Sequence, residues 1–439
     1  MNSPRVVIDN AVCGNATLVK VDSANKHGIL LEAVQVLTDL KLNINKANVS
    51  SDGRWFMDVF YVTDENGKKL TDEGVIGYIE KTLETNPCIL PSFGKSVGVE
   101  VAADQHTAIE LTGTDRPGLL SEIFAVLSDL KCNVVEAEVW THNRRVACLV
   151  YVTDEETGAP IDDGQKICKI EELLRNVMRG NSNIRGAKTV ASMGLTHTER
   201  RLHQLMFADR DYEKLDGTVG RAPPPLNDND NAKPHVTVEN CLERGYSVVN
   251  VQCKDRPKLL FDVVCTLTDM EYVVFHATID SQGPQTHQEY YIRHTDGCPV
   301  NSEAERQRVI QCLEAAIRRR ASEGVRLELC TNDRVGLLSD VTRIFRENGM
   351  SVTRAEVSTR GDKAVNVFYV TDAAGNPVDP KTVEAVRREI GLTILQVKDN
   401  CMDTKSPRRE PAIPFSFGNL FKSKSERFLY SLGLIKSYS

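Results

Sequence analysis

The sequence predicts an α+β fold of four ferredoxin-like βαββαβ units, with antiparallel sheets, helices on one face and the units paired side by side. Three observations predict it. One block of strand, tight turn and amphipathic helix recurs four times. Its anchor residues keep a fixed spacing, and each block continues into two β-branched and aromatic runs around a polar turn before a second helix.

The spacing carries the repeat. Asn25 to Tyr61, Asp115 to Tyr151, Asp255 to Tyr291 and Asp333 to Tyr369 are each 36 residues apart. Ala47, Ala137, Ala277 and Ala355 each lie 22 residues after their anchor. The clearest copy, residues 108–154, begins AIELTGTDRPGLLSEIFAVLSDLKCNVVEAEVW and closes with LVYVTD. After its first strand and turn, Leu119, Leu120, Ile123, Phe124, Val126, Leu127 and Leu130 fall at helical spacing, a broad apolar face that must lie on a sheet. Residues 133–140 and 146–152 are strand-like and flank the turn THNRR, an antiparallel hairpin. A second helix over about 163–178 and a short strand at 188–191 complete the order.

The third copy departs from this plan. Its last helix starts at Ser302, with Glu305 completing a capping box, and runs through Ile310, Leu313 and Ile317 straight into copy four, leaving no final strand. Upstream, HVTVE (235–239) alternates like a strand and is joined by NCLERG to 247–252, so this hairpin is expected to supply the missing edge. The expected divisions are 14–102 for the first unit and 105–194 for the second. A helix and flexible linker occupy 195–234, the third unit 235–322 with its edge strand from 235–240, the fourth 324–402, and a basic, aromatic tail 403–439. In the intervening segment Thr196 and Glu199 form a capping box for a helix near 197–207, and RAPPPLNDNDNAKP reads as linker. The chain is thus expected to form two pairs of repeats joined by that linker. Four copies also permit both pairings to be intramolecular, in a monomer.

Composition narrows the function. The 439 residues carry 54 Lys and Arg against 61 Asp and Glu, a net charge of −7, which offers no phosphate-neutralising surface and argues against nucleic acid as partner. No run approaches the roughly 18 apolar residues of a membrane span, and MNSPRVVIDN lacks a secretory core, so the expected location is the cytoplasm, with KSPRRE offering a nuclear address. Twelve cysteines without a CxxC read as reduced core thiols, with neither metal nor cofactor implied.

The chemistry lies in the turn DRPGLL. Asp115 is placed to cap the first helix, Pro117 presets φ for its first turn, and Gly118 bares the surface beside amides that have no helical partner. Such a helix end favours a carboxylate by about 0.3–1 kcal/mol before its hydrogen bonds are counted. Gly28, Gly118 and Gly336 keep the glycine, whereas Lys258 replaces it in copy three and would obstruct the approach. Copy one reads NKHGIL, with Asn25 able to cap and His27 an exposed turn residue.

These blocks, two with D-R-x-G-L-L intact and two with the variants NKHGIL and DRPKLL, resemble ACT domains, the regulatory modules that bind amino acids in allosteric enzymes. The fourfold arrangement, with CTLTDMEYVVFHATID and the tail SFGNLFKSKSERFLYSLGLI, resembles plant ACT-domain-repeat (ACR) proteins over nearly the whole chain. The resemblance implies side-by-side pairing with effectors at the interface near the turn glycine. Carried over, it marks Asp115, Gly118 and Leu119, then Asp333, Gly336 and Leu337, with Asn25 and Gly28 in copy one. The family is also similar to the sensor part of bacterial uridylyltransferases, which makes glutamine one candidate effector.

Four function classes follow. The first is a non-enzymatic amino-acid sensor acting on an unknown protein partner, and the second a scaffold whose repeats bind protein without ligand. An enzyme is disfavoured, because the repeats consume the chain and no GxxxxGK[ST], HExxH or GxSxG occurs. RNA binding is disfavoured because the third strands RWFMDVFYV, VACLVYV, HQEYYIR and AVNVFYV lack the stacking pattern of an RNA-recognition motif. Arg318, Arg319 and Arg320 read as cations suited to a helix C-terminus. In the tail, Lys422, Lys424 and Arg427 among Phe421, Phe428 and Leu429 read as a segment packing on its own domains, with docking on a partner or a membrane surface as the alternative.

Overall fold

The structure, a computed structural model, describes residues 5–24, 28–51, 55–85, 106–179, 188–192, 197–213, 233–320 and 324–398. The first repeat comprises β1 (Arg5–Asp9), β2 (Thr17–Ala24), α1 (Ile29–Asp39), β3 (Asn43–Ser51), β4 (Trp55–Thr63) and α2 (Glu73–Thr85). The second comprises β5 (Thr107–Thr114), α3 (Leu119–Asp129), β6 (Cys132–His142), β7 (Arg145–Asp154), α4 (Gly164–Arg179) and β8 (Lys188–Ser192), and α5 (Thr198–Ala208) follows it. The third runs through β9 (His235–Cys241), β10 (Tyr246–Lys254), α6 (Leu259–Asp269), β11 (Tyr272–Gln282), β12 (Gln285–His294) and α7 (Glu303–Arg320). The fourth is β13 (Val325–Asn332), α8 (Leu337–Glu347), β14 (Met350–Arg360), β15 (Lys363–Asp372), α9 (Pro380–Ile390) and β16 (Leu395–Lys398).

The same local chemistry builds each copy. The apolar stripe of α3 buries Leu119, Leu120, Ile123, Phe124 and Leu127. A residue in the left-handed region ends each first helix: Lys41, Lys131, Glu271 and Gly349, with φ between 52 and 68°. In the first copy the Lys41 and Leu42 amides close back on the Thr38 and Leu37 carbonyls, a Schellman stop that turns helix into strand. The next strand carries a bulge at one equivalent place in all four copies, at Ile44/Lys46, Val134/Glu136, Val274/His276 and Val352/Arg354.

Two eight-stranded antiparallel sheets result, in two compact units. The first unit joins repeats one and three in the order β1-β2-β4-β3-β11-β12-β10-β9, and the second joins repeats two and four as β16-β13-β15-β14-β6-β7-β5-β8. Pairing is therefore between alternate repeats and not between the sequence neighbours on either side of the linker. Closing a longer connection costs only a logarithmic amount of entropy, so complementarity at the strand edges decides the partner. Strand β1 lies antiparallel on β2 and β9 on β10, so both repeats of the first unit take an edge strand from the residues that precede them. The first of these strands falls before the 14–102 span expected for that repeat. Helices cover one face of each sheet, and a continuous apolar core lies beneath them in each unit.

Each unit has a pseudo-twofold axis where its two repeats meet. Asn48 pairs with Thr278 in the first unit and Glu138 with Glu356 in the second, both residues standing at one repeat position, 23 after the anchor. Like charges directly opposed on antiparallel strands destabilise the pair. Burial pushes the Glu138 carboxyl up, repulsion from Glu199 and Glu356 adds to this, and Arg354 and Arg320 oppose it. A carboxyl raised in the folded state loses stability as pH climbs above its ordinary value near about 4.3. Glu138→Gln keeps the acceptor for Trp140 Nε1, now 3.0 Å away. It is expected to stabilise the second unit by about 0.5–1 kcal/mol at pH 7 and by nothing at pH 4, read from paired thermal melts.

The opposite face of the second sheet carries α5, whose Leu202 and Met206 pack on Trp140, Ala147 and Leu149. The His197 side chain caps this helix by accepting from the Arg200 amide, in place of the expected Thr196, which lies outside the described residues. Glu199 instead meets Arg320 at 3.0 Å. Two of the three arginines at the end of α7 are likewise not solvated helix-end cations, since Arg319 and Arg320 are buried in ion pairs with Asp211 and Glu199, while Arg318 is exposed. At the start of α7, Ser302 Oγ accepts from the Glu305 amide while Glu305 reaches back to the Asn301 amide, one residue beyond the usual reciprocal bond. Residues 214–232 of the linker and the tail 403–439 lie outside the described residues.

Candidate ligand-binding site

The strand-to-helix turn has one geometry in all four copies. Gly28, Gly118 and Gly336 precede their helices at φ 86°, 83° and 80°, and no side chain caps the helix behind them. A left-handed residue here explains the glycine. Lys258 holds the same conformation at φ 67°, at a cost of about 1–2 kcal/mol, so the fold tolerates a side chain where a ligand would not.

The aspartates do not act as the expected N-caps, because the glycine takes that place and Pro117 precedes it. Asp115 closes the strand: its amide bonds the Arg144 carbonyl in the β6–β7 turn, and Asp333 does the same with Asp362. Thr359 Oγ1 donates to Asp333 Oδ2 at 3.1 Å. Burial pushes the Asp115 carboxyl up to about 6, with the Arg116 amide and guanidinium offsetting part of the rise.

The motif arginine braces the turn. Arg116 grips Glu122 with two bonds of 2.7 and 2.5 Å and reaches the Val177 carbonyl, while Arg256 meets the buried Asp262 at 2.7 Å and Arg334 meets Asp340 at 2.5 Å. The amides of Leu119 and Leu337 return to the Arg116 and Arg334 carbonyls. The next two amides of each helix, at Leu120 and Ser121 and at Leu338 and Ser339, point out of the helix end as donors for an anion.

In the second unit α3 and α8 pack antiparallel, so each turn faces the far end of the other helix. Asp333, Gly336 and Leu337 line a cleft with Phe124, Ser128 and Asn133 of repeat two. Its room for the centre of a water molecule is about 20 Å³, enough for one water and too small for an amino acid. The structure thus gathers the three candidates of repeat four at an interface. Asp115, Gly118 and Leu119 occupy the pseudo-twofold-related place, with Leu119 buried. Gly28 holds the equivalent turn of the first unit, and Asn25 lies outside the described residues. Phe124, Ser128 and Asn133 were missed by motif reading, because they come from another repeat.

Thirty-three residues after each anchor, on the helix-facing side of the third strand, stand Asp58, Cys148, Gln288 and Asn366, all buried. Gln288 is satisfied by Tyr290 and Thr286. Asn366 accepts from the Ser358 amide at 3.3 Å and leaves Nδ2 unused, and Asp58 is less well satisfied, with only the Ser50 amide near its carboxyl and no hydrogen bond of normal geometry to either oxygen among the described residues. Among those residues no group of His, Cys, Asp and Glu could hold a metal ion, and no helix is long and apolar enough to cross a membrane.

Comparison with known proteins agrees with this geometry. The description "ACR family N-terminal ACT domain" matches residues 12–89, "ACT domain" matches 107–173 and 325–391, and "ACR9-like, ACT-like domain" matches 235–322. ACT domain-containing proteins ACR4 and ACR5 of Arabidopsis thaliana are each 58% identical to the chain, which is covered completely, over 96% and 95% of their own lengths. A bifunctional uridylyltransferase/uridylyl-removing enzyme of Rhodospirillum rubrum is 23% identical over 51% of this chain and 21% of its own. Fold and turn therefore define a tandem array of ACT domains, a class of typically amino-acid-binding regulatory modules. Within that class the chain belongs to the ACR family of ACT-domain-repeat proteins.

Proposed function

We propose that this protein is a non-enzymatic sensor of a free amino acid, whose carboxylate docks on the first-turn amides of α8 in the cleft beside Gly336. The observation that carries this reading is the closed cleft itself: uncapped donors face an interface between two repeats, with about 20 Å³ between them. An effector enters only by widening that interface, so binding favours an altered arrangement of repeats two and four, and a protein partner able to tell the two arrangements apart receives the signal. We place this activity in the cytoplasm. Gly28 offers the equivalent turn in the first unit, and glutamine is one candidate effector.

A ligand of about ten heavy atoms at roughly 0.5 kcal/mol each binds with Kd on the order of 0.1–1 mM, in the range of metabolite concentrations. The test is thermal stability of the full chain with each of the twenty amino acids at about 5 mM. A selective rise is expected by mass action. Gly336→Lys, which places at this turn the residue repeat three already accommodates, is expected to remove the rise contributed by the second unit while the protein still folds. A well-folded sample unmoved by every amino acid would favour the alternative, a ligand-independent interaction scaffold.

A further inference from the structure

We infer that Arg346 keeps the Gly118 half of the second unit shut, so that of its two pseudo-twofold-related turns only the one at Gly336 takes an amino acid. The inference rests on the sensor reading above. The pseudo-twofold axis through Glu138 and Glu356 makes the two turns equivalent by backbone, and the residue ten positions after one glycine stands against the other glycine. Those two residues differ. A Cβ built on Gly336 would lie 3.3 Å from Ser128 Oγ, a tight contact with one small hydroxyl that need give only a few tenths of an ångström, whereas one built on Gly118 would lie 2.6 Å from Arg346 Cδ and 3.1 Å from its Cγ. The bare face of Gly118 is therefore covered by the methylenes of the partner helix. It is the stem of Arg346 and not its guanidinium that lies there, and the guanidinium charge is felt at Glu122, a carboxylate already held by Arg116.

The wall behind the two turns differs in the same sense. Repeat four has Asn366, buried, with an unspent Nδ2 donor, its Oδ1 accepting from the Ser358 amide next in the strand to Thr359, which holds Asp333. Repeat two has Cys148 at that position, fully buried, a poor hydrogen-bonding group. The Arg346 stem thus covers the Gly118 turn, while only the Ser128 hydroxyl stands at the Gly336 turn. A sensor unit with one working half responds to its effector without cooperativity between halves.

The test is calorimetric titration of the full chain with L-glutamine and then each other standard amino acid, comparing native protein with Arg346→Ser, which copies Ser128, and with the converse Ser128→Arg. Arg346 is exposed, so its replacement leaves folding intact. Arg346→Ser is expected to add one binding site per chain and Ser128→Arg to remove one. Unchanged stoichiometry in Arg346→Ser, with native binding present, overturns the blocking role and leaves the sensor reading standing. Loss of binding in Arg346→Ser makes Arg346 a ligand clamp and also overturns it. Binding by Arg346→Ser alone supports the block but sinks the assignment of the native site to Gly336. Absence of binding in native protein and both variants overturns the sensor reading and this inference with it.

Discussion

Arg319→Ala is expected to destabilise the second unit by about 3–5 kcal/mol, the usual consequence of leaving one charge of a buried pair alone. Arg319 is 3% exposed and Asp211 0%. Nε and Nη2 donate to the two Asp211 oxygens at 2.7 and 2.6 Å, and Nη1 lies 2.9 Å from His203 Nδ1. A guanidinium only donates, so that nitrogen of His203 accepts. His142 Nδ1 reaches the same carboxylate at 2.9 Å, and Asn143 Nδ2 bonds the Asp211 carbonyl at 2.6 Å. The cluster fastens the segment after α5 to the β6–β7 hairpin. Arg320 adds a stacking contact, its guanidinium 4.8 Å from the Trp140 ring centre. Burial alone would raise the Asp211 carboxyl, but Arg319 and His142 outweigh it and hold the group below its ordinary range. For a depressed carboxyl, the linked stability is present above the unfolded value, about 3.9, and is lost as pH falls through the lower folded value. Urea unfolding followed by Trp140 fluorescence, with Trp55→Phe as background, reads the second unit. A loss below about 1 kcal/mol would sink the claim that this pair is a buried anchor. Replacing both Arg319 and Asp211 by apolar residues of similar size should restore much of the loss, because no lone charge then remains.

The same arginines show where sequence reading stops. Three cations at the end of α7 look like residues suited to the helix dipole, because helical periodicity reports only on the helix that contains them. Their partners, Glu199 and Asp211, lie more than a hundred residues earlier, in a stretch whose composition reads as helix and linker. The repeats themselves were legible, since the anchors, the turn glycines and the apolar stripes are all local devices, and the element order in the structure follows them. The choice of partner was not. Strands β3, β6, β11 and β14 each present a free edge, and nothing within a repeat says which edge it will meet until Asn48 is seen against Thr278 and Glu138 against Glu356. The candidate site divided in the same way. Gly336 was visible because a left-handed turn selects glycine, whereas Ser128 and Arg346 were hidden because each acts on a turn in another repeat. Asp115 was misread as a helix cap because Asp-x-Pro-Gly suits that role equally well, and only the φ of 83° at Gly118 moves the cap three residues on.

Asp58→Asn is expected to stabilise the first unit by about 1–3 kcal/mol at pH 7, because an amide, unlike the carboxyl, gives up no charge on burial. Asp58 is 0% exposed and alternates with Phe56 and Phe60 on the helix-facing side of β4, opposite Val21 and Val49. Burial pushes its carboxyl well above the ordinary range, and the Ser50 amide offsets only part of that. A raised carboxyl leaves stability whole below the unfolded value, near about 3.9, and takes it away as pH rises toward the folded one. The benefit of the amide should therefore vanish at pH 4 and grow toward neutrality. Repeat four already contains the proposed arrangement: Asn366 occupies the same position and accepts from the Ser358 amide, as the substituted carboxamide would from Ser50. Hydrogen exchange in β2 and β4, measured at both pH values, isolates the first unit from the second. Faster exchange in Asp58→Asn at pH 7 would overturn the argument, for it would mean that the native carboxylate is held charged by a partner an amide cannot replace. Slower exchange at pH 7 and equal exchange at pH 4 would identify Asp58 as a polar group kept in the core against stability, at the position where repeat four keeps an amide and repeat two a thiol.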